Sequence, residues 1–153
     1  ASAKQKGQKH RVFVMMGDGE TCEGSVWEAA MAGRALHLGN LVGIVDRNRQ
    51  LMTSFSEDSI LLEPYADKWR AFGWNVIEVE DGNDMKQVVE ALDSIPDSSS
   101  DIPTVIISNT VKGKGVSFME KQIKWHCGSL TKDDLQTALS DLEAAYEKQR
   151  KEL

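Results

Sequence analysis

The stretch RVFVMMG, residues 11–17, is a short apolar run that ends at a glycine. An apolar run of this length that stops at a turn residue is typical of a strand buried on both faces of a parallel sheet. Residues 23–38 are predicted to form a helix, because Gly39-Asn40 then provides a stop signal. A second apolar run covers residues 41–45 and is cut off by Asp46. This order predicts two parallel strands joined by a helix.

The rest of the chain repeats this alternation. Further strands are predicted over residues 74–79 and 103–107, and further helices over residues 64–72 and 84–95, the second with Val88, Val89 and Leu92 on one side. A last helix is predicted to begin at Thr131, with Asp134 three residues on. Its apolar face consists of Leu135, Ala138, Leu139, Leu142, Ala145 and Tyr146. We therefore expect one α/β domain over residues 1–153, a parallel sheet with helices on both faces.

The composition limits the possible classes of function. The 153 residues carry 18 Lys and Arg against 24 Asp and Glu, a net charge of −6, which argues against a nucleic-acid partner. No apolar run reaches the ~18 residues of a membrane span, and the polar N-terminus has no signal-peptide pattern, so no membrane partner is expected. Two cysteines are too few for a disulfide framework, which predicts a reducing, cytoplasmic compartment.

A glycine-rich turn follows the first predicted strand. The glycines of Gly17-Asp18-Gly19 let the backbone approach an anion closely, and the helix start behind the turn favours phosphate. Asp18 would repel a bare phosphate, and a divalent cation between the two removes this conflict. A dinucleotide fingerprint needs a glycine where Cys22 stands, and no Walker sequence occurs. The turn therefore predicts neither of those two phosphate sites.

A polar loop, Asp46-Arg47-Asn48-Arg49-Gln50, follows the second predicted strand. Ligands of parallel sheets bind beyond the carboxyl ends of the strands. Because adjacent parallel strands end at the same edge of the sheet, this loop is expected to lie beside the Gly17-Asp18-Gly19 turn. Asp18 and Asn48 then offer one carboxylate and one amide oxygen, which suit Mg²⁺ or Ca²⁺ and do not suit zinc. The same residue types are also typical of turns and helix caps, and the residues alone leave both interpretations open.

The order of these motifs resembles the thiamine-diphosphate enzymes, whose cofactor motif begins with Gly-Asp-Gly and ends at an asparagine further along the chain. More stretches resemble the transketolase branch: residues 17–24, Trp27-Glu28-Ala29-Ala30, Leu38-Gly39-Asn40-Leu41, Asp46-Arg47-Asn48, residues 67–74 and residues 111–120. The resemblance runs from Arg11 onward and is greatest to the N-terminal subunit of split transketolases. It implies the diphosphate-binding type of α/β domain and the transfer of a two-carbon ketol unit between sugar phosphates.

The resemblance also implies roles for single residues. The implied cofactor-binding residues are Gly17, Asp18, Gly19, Asn48, Gln50, Met52 and His126, of which Asp18, Asn48 and Gln50 would bind Mg²⁺ or Ca²⁺. Gly19 would donate its backbone N–H to the diphosphate, Gln50 would use its main-chain carbonyl, and Met52 would pack on the cofactor ring. His126, within Trp125-His126-Cys127-Gly128, would be the catalytic residue that reaches the diphosphate and the substrate. A histidine can move a proton near neutral pH, which suits this role.

A partner subunit is implied as well. The family's pyrimidine-binding domain, with the glutamate that protonates the cofactor, has no counterpart in residues 1–153, so we expect no turnover by this chain alone. An upstream family segment with a histidine and a Gly-Ser-Leu-Gly stretch is also missing, which indicates a partial or reduced subunit. Glu23 and Glu28 match glutamates at the family's subunit interface. The implied assembly is a dimer or a heterotetramer with a C-terminal transketolase subunit that carries the pyrimidine-binding domain.

Some alternatives stay open. The chain could belong to another thiamine-diphosphate enzyme, such as a deoxyxylulose-phosphate synthase or a 2-oxo-acid dehydrogenase subunit, or it could be a noncatalytic cofactor-binding remnant. Trp27-Glu28-Ala29-Ala30 and Lys112-Gly113-Lys114-Gly115 favour a transketolase.

The two lysines, Lys112 and Lys114, would contact phosphate or would simply be solvated. Cys22 is interpreted as a packing residue, because nothing beside it indicates a lowered pKa.

Overall fold

A computed structural model describes residues 1–152, in which four strands alternate with helices. The strands are β1 (Val12–Gly17), β2 (Leu41–Arg47), β3 (Asn75–Val79) and β4 (Thr104–Asn109). The helices are α1 (Ser2–Gln5), α2 (Gly24–Ala35), α3 (Ser56–Ser59), α4 (Tyr65–Ala71), α5 (Met85–Asp93) and α6 (Lys132–Glu152), with 3-10 helices at Glu20–Cys22 and Ile123–His126. The sequence did not predict α1, α3 or the 3-10 helices, because such short elements show no clear periodicity.

The four strands form one parallel sheet in the order β1-β2-β4-β3. In the pairing of β1 with β2, Met16 lies opposite Val45 and Gly17 lies opposite Asp46. The turn after β1 and the loop after β2 therefore leave the sheet side by side. The predicted parallel α/β fold and the predicted proximity of these two loops are both confirmed.

Helices cover both faces of the sheet. On one face, α2 and α4 enclose an aromatic cluster in which the Trp69 ring lies 5.1 Å from that of Trp27 and 5.2 Å from that of Trp74, measured between ring centroids. Trp74 Nε1 donates to the Ala30 carbonyl at 2.9 Å, so this buried indole keeps a hydrogen-bond partner. On the other face, α5 and the residues after it pack on the sheet through a second cluster: Val42, Val79, Ala91, Ile95 and Ile106.

The prediction that β1 is buried on both faces is wrong. β1 is the edge strand of the sheet, and the side chains of Phe13 and Met15 are 52% and 72% exposed, whereas Met16 is buried. The apolar run could not reveal this, because its composition is compatible with either position and strand order is set by tertiary pairing.

The predicted apolar faces of α5 and α6 are only partly buried. On α5, Ala91 is buried while Val89 and Leu92 stay exposed. On α6, Ala138 is buried while Leu135, Leu139, Leu142 and Tyr146 are exposed. The predicted cap of α6 is confirmed, since the Asp134 N–H donates to Thr131 Oγ1 at 3.1 Å and the Asp134 carboxylate accepts from the Thr131 N–H at 2.9 Å. None of the helices within residues 1–152 combines the length and the apolar character needed to cross a membrane.

Gly39 precedes β2 and lies against the backbone of Ser100. A Cβ on Gly39 would lie 1.7 Å from the Ser100 carbonyl oxygen, so the two backbone segments would have to move apart. We expect Gly39→Ala to lower the free energy of unfolding by about 3 kcal/mol, measured by urea denaturation. Gly24→Ala is the matched control, because a Cβ there meets nothing within 4 Å. Equal losses in the two variants would contradict this explanation.

Candidate functional site

A cavity of about 440 Å³ opens at the carboxyl ends of β1 and β2. Every residue that the sequence assigned to the cofactor lines it: Gly17, Asp18, Gly19, Asn48, Gln50, Met52 and His126. Glu23 and Lys112 line the same cavity, whereas Lys114 lines a larger, mixed-charge cavity beside it. The two loops and the 3-10 helix Ile123–His126 therefore form one concave site, at the end of the sheet where α/β proteins bind ligands.

Asp18 is fully buried in this site. Its Oδ1 accepts a hydrogen bond from the Gly19 N–H at 2.9 Å, and its Oδ2 accepts one from the Arg49 N–H at 2.6 Å and lies 3.4 Å from Arg47 Nη1. Burial raises the pKa of the Asp18 carboxyl, while the N–H of Arg49, the charge of Arg47 and the N–H of Gly19 oppose that rise. The two N–H donors thus fix the orientation of the carboxylate, and Arg47 lies beside it as a counter-charge.

Gly19 keeps the turn close to the loop after β2. A Cβ on Gly19 would lie 3.1 Å from Leu51 Cδ2 and 3.8 Å from the Gln50 carbonyl oxygen, so a larger residue would narrow the gap between the turn and the loop. The Gly19 N–H, which the resemblance assigns to the diphosphate, donates to Asp18. That assignment therefore requires the N–H to be shared between two acceptors.

The side-chain amide of Asn48 is oriented by its neighbours. Asn48 Nδ2 donates to Asp46 Oδ2 at 3.1 Å, and Asn48 Oδ1 accepts from the Gln50 N–H at 3.0 Å. Asp46 is itself held by the hydroxyl of Thr110, which donates to its other carboxylate oxygen. An amide oxygen has two lone pairs, so Asn48 Oδ1 keeps one for a further ligand.

The donor set fits a hard divalent cation. One carboxylate, one amide oxygen and one main-chain carbonyl come from Asp18, Asn48 and Gln50, and phosphate and water can complete such a coordination sphere. Gln50 is 4% exposed, and its side-chain Oε1 has no hydrogen-bond partner within residues 1–152, so this position also has unused acceptor capacity. No group of three or more His, Cys, Asp or Glu side chains that could hold a metal occurs in the described part of the chain. These three oxygens would leave coordination positions that an anionic ligand and water can fill.

His126 and Met52 are exposed side chains of the cavity lining. The 3-10 helix that ends at His126 is anchored through Trp125, whose Nε1 donates to the Phe118 carbonyl at 2.9 Å. A Cβ on Gly128 would lie 2.4 Å from the Trp125 ring, so the loop after His126 requires a glycine there. The cavity therefore combines an imidazole and an apolar side chain with Asp18, Asn48 and Gln50.

Glu23 and Glu28 are exposed at the start and in the body of α2. Glu23 lines the cavity and accepts a hydrogen bond from Ser25 Oγ at 3.5 Å, while Glu28 lies outside the cavity lining. Their interface role stays a prediction. Cys22 packs against the aromatic core, and burial together with the negative charge of Asp18 raises the pKa of its thiol, which agrees with the interpretation as a packing residue.

Three residues that support Asp18 from outside the cavity lining, Thr21, Arg47 and Tyr65, were missed by the sequence analysis. Arg47 is 2% exposed, and its guanidinium contacts Asp18 and Glu63 and lies 4.5 Å from the centre of the Tyr65 ring. Tyr65 OH donates to Thr21 Oγ1 at 3.0 Å, and Thr21 Oγ1 donates to the Asp18 carbonyl at 2.7 Å. The strict side-chain alternation of a strand would have indicated that Arg47 points to the opposite face from Asp46.

Comparison with known proteins shows which family the chain resembles. The family model described as "Transketolase, thiamine diphosphate binding domain" matches residues 2–149. The chain is 42% identical to an apulose-4-phosphate transketolase subunit of Phocaeicola vulgatus over 99% of this chain and 53% of that protein. It is 36% identical to the 6-deoxy-6-sulfo-D-fructose transketolase subunit SqwG of Clostridium sp. over 86% of this chain and 47% of that protein. The chain thus spans about half the length of these curated relatives.

Solved structures show a similar fold. The transketolase of Campylobacter jejuni superposes with a TM-score of 0.80 at 24% sequence identity, covering 89% of this chain and 21% of that one. At this identity, the likeness supports the parallel α/β fold alone.

Proposed function

Because the chain belongs to the transketolase family, as a thiamine diphosphate binding domain, we propose that it is the diphosphate- and cation-binding half of a two-subunit transketolase. The reaction would transfer a two-carbon ketol unit from a ketose to an aldose, both as sugar phosphates. The observation that supports this most is that one cavity gathers Asp18, Asn48, Gln50, Met52 and His126.

Thiamine diphosphate, when bound, supplies the electron sink for breaking and forming the carbon–carbon bond. We propose that Asp18, Asn48 and the main-chain carbonyl of Gln50 hold Mg²⁺ or Ca²⁺ against the diphosphate. Lys112 lines the same cavity and would offset part of the remaining negative charge. Met52 would give the cofactor ring an apolar contact.

His126 is proposed as the catalytic residue of this chain. Its exposed imidazole lines the same cavity as Asp18, Asn48 and Gln50. In the proposed complex it would lie near the diphosphate and the substrate. It would donate a proton to a sugar oxygen as negative charge develops there, and it would take the proton back when the hydroxyl becomes a carbonyl.

A C-terminal subunit with a pyrimidine-binding domain is the proposed partner. Two relatives are themselves called transketolase subunits, which supports a divided enzyme. Glu23 and Glu28 would face that partner, because they are exposed on α2 beside the exposed small residue Ala29 and the 52% exposed Met31. The assembly would be a dimer or a heterotetramer in the cytoplasm, and this chain alone would show no turnover.

A ketol-transfer assay with separated subunits tests the proposed function. The chain, its co-purifying partner and their mixture are each supplied with thiamine diphosphate, Mg²⁺, a ketose phosphate donor and aldose acceptors. Two further ketose donors are included because they occur in the names of relatives: apulose 4-phosphate and 6-deoxy-6-sulfo-D-fructose, which carries a sulfonate instead of a phosphate. We expect turnover only in the mixture and its loss with a chelator. Turnover by the chain alone would contradict the partner requirement, and cofactor binding without turnover in the mixture would favour the noncatalytic alternative.

A further inference from the structure

Arg47 places a positive charge beside the candidate cation ligand Asp18. Arg47 Nη1 lies 3.4 Å from Asp18 Oδ2, and the two side chains are 2% and 1% exposed. Water and salt screen such a buried pair only weakly. The guanidinium is therefore a counter-ion to the same carboxylate that would ligate a divalent cation.

Asp18 does not depend on Arg47 for its orientation. The backbone N–H groups of Gly19 and Arg49 donate to the two carboxylate oxygens at 2.9 and 2.6 Å, both shorter than the 3.4 Å contact from Arg47. What Arg47 adds to Asp18 is thus mainly charge, because hydrogen bonds weaken as the donor–acceptor distance grows.

Other partners compete for the charge of Arg47. Arg47 Nη2 donates a hydrogen bond to Glu63, whose side chain is 50% exposed, and Glu57 Oε1 lies 4.0 Å from the same Nη2. The guanidinium also lies over the Tyr65 ring, a contact that draws on the same positive charge. The charge that acts on Asp18 therefore depends on how strongly Glu63 and Glu57 neutralise Arg47.

We propose that Arg47 is a built-in counter-ion that lowers the affinity of the site for a divalent cation, and that Glu63 sets how strongly it does so. This inference rests on the proposed cation site at Asp18. Without a bound cation, Arg47 compensates a buried carboxylate that would otherwise be unpaired. With a cation bound, the guanidinium and the ion repel each other across that carboxylate. An interaction that favours the cation-free state more than the loaded state must weaken binding.

Counting bound Mn²⁺ by electron paramagnetic resonance tests this inference. The sample is the native full-length protein with any co-purifying subunit, at fixed thiamine diphosphate and without sugar, and Mn²⁺ serves as the probe because it accepts the oxygen ligands of Mg²⁺. We expect Arg47→Met to lower the Mn²⁺ dissociation constant by about tenfold, since it removes a like charge next to the ligand. We expect Glu63→Gln to raise it by about threefold, a smaller change because Glu63 is half exposed.

The opposite signs of the two changes identify an electrostatic role. If Arg47 acted only by holding the fold, both variants would bind Mn²⁺ more weakly, because both damage the contact between Arg47 and Glu63. Weaker or unchanged binding in Arg47→Met overturns the inference. Should Arg47→Met not fold, Glu63→Gln keeps the inference falsifiable, because unchanged or tighter Mn²⁺ binding in that variant contradicts it.

Two further variants complete the design. Arg70→Met changes the net charge by the same amount as Arg47→Met, but Arg70 is an exposed arginine paired with Asp67 and Glu78. The Mn²⁺ affinity of this variant is therefore expected to match that of the wild type. Asp18→Asn distinguishes a failure of the proposed cation site from a failure of the proposed counter-ion role. If it keeps full Mn²⁺ binding, the proposed cation site is wrong. If it abolishes binding while Arg47→Met does not tighten binding, only the counter-ion role is wrong.

Discussion

Asp18→Asn is expected to weaken thiamine diphosphate binding in the presence of Mg²⁺ by about 100-fold or more, because it removes the carboxylate ligand of the proposed cation site. The two carboxylate oxygens of Asp18 accept hydrogen bonds from the N–H groups of Gly19 and Arg49. In the variant, the NH₂ group of the new amide replaces one of these oxygens and faces one of the two N–H donors. Isothermal titration calorimetry measures the affinity directly. In a thermal-shift titration at 100 times the wild-type Kd, the cofactor should stabilise the wild type by about 2.7 kcal/mol and the variant by about 0.4 kcal/mol or less.

Asp67→Asn is the matched control for Asp18→Asn. Asp67 undergoes the same chemical change, yet it is an exposed carboxylate paired with Arg70 outside the cavity. Cofactor binding should therefore equal that of the wild type. Circular dichroism of both variants establishes that they are folded. Mg²⁺-dependent cofactor binding that survives in folded Asp18→Asn would remove Asp18 from the cation site.

His126→Ala is expected to lower kcat of the two-subunit enzyme by about 10²- to 10⁴-fold, because the proposed proton carrier at the substrate oxygen is lost. The change should leave stability nearly intact, since His126 is exposed and belongs to neither apolar cluster of the fold. Cofactor affinity should fall far less than kcat, because Asp18, Asn48 and Gln50 remain. The ketol-transfer assay and a cofactor titration on the same preparation measure the two effects.

His10→Ala provides the comparison for His126→Ala. His10 is exposed just before β1, and only its main-chain oxygen accepts a hydrogen bond, from Asn40 Nδ2. Its replacement should leave kcat unchanged. A wild-type kcat in His126→Ala would rule out the catalytic assignment, and a parallel fall in both variants would point to a loss of folded protein.

The sequence predicted those features that depend on local pattern. Apolar runs that alternate with helical periods predicted the parallel sheet, and the rule that ligands bind beyond the strand ends placed Asp18 and Asn48 together. Prediction from the sequence was less accurate where a feature depends on contacts between residues far apart in the chain. The predicted helix over residues 23–38 ends at Ala35, because His37 adopts a left-handed φ of 55°, and Gly39 is required by the approach of Ser100.

Two other features could not be obtained from one sequence. The edge position of β1 follows from the strand order, which a run of apolar residues does not encode. The burial of Arg47 depends on partners 29 residues before it and 16 residues after it, Asp18 and Glu63. Arginines are mostly exposed, so composition argues for a surface position until these partners are known.

The hydrogen bond from Thr110 to Asp46 joins the loop after β2 to a residue that the ribosome adds much later. Thr110 directly follows β4, and β4 pairs with β2 across a separation of 62 positions, from Arg47 to Asn109 (109 − 47). Asp18 and Asn48 are therefore synthesised well before β4 and the Thr110 hydroxyl, which hold the loop after β2 in place. Non-local pairings form only when both partners are available. A nascent chain that ends before β4 thus carries the complete glycine-to-asparagine motif without the support that turns it into a binding site.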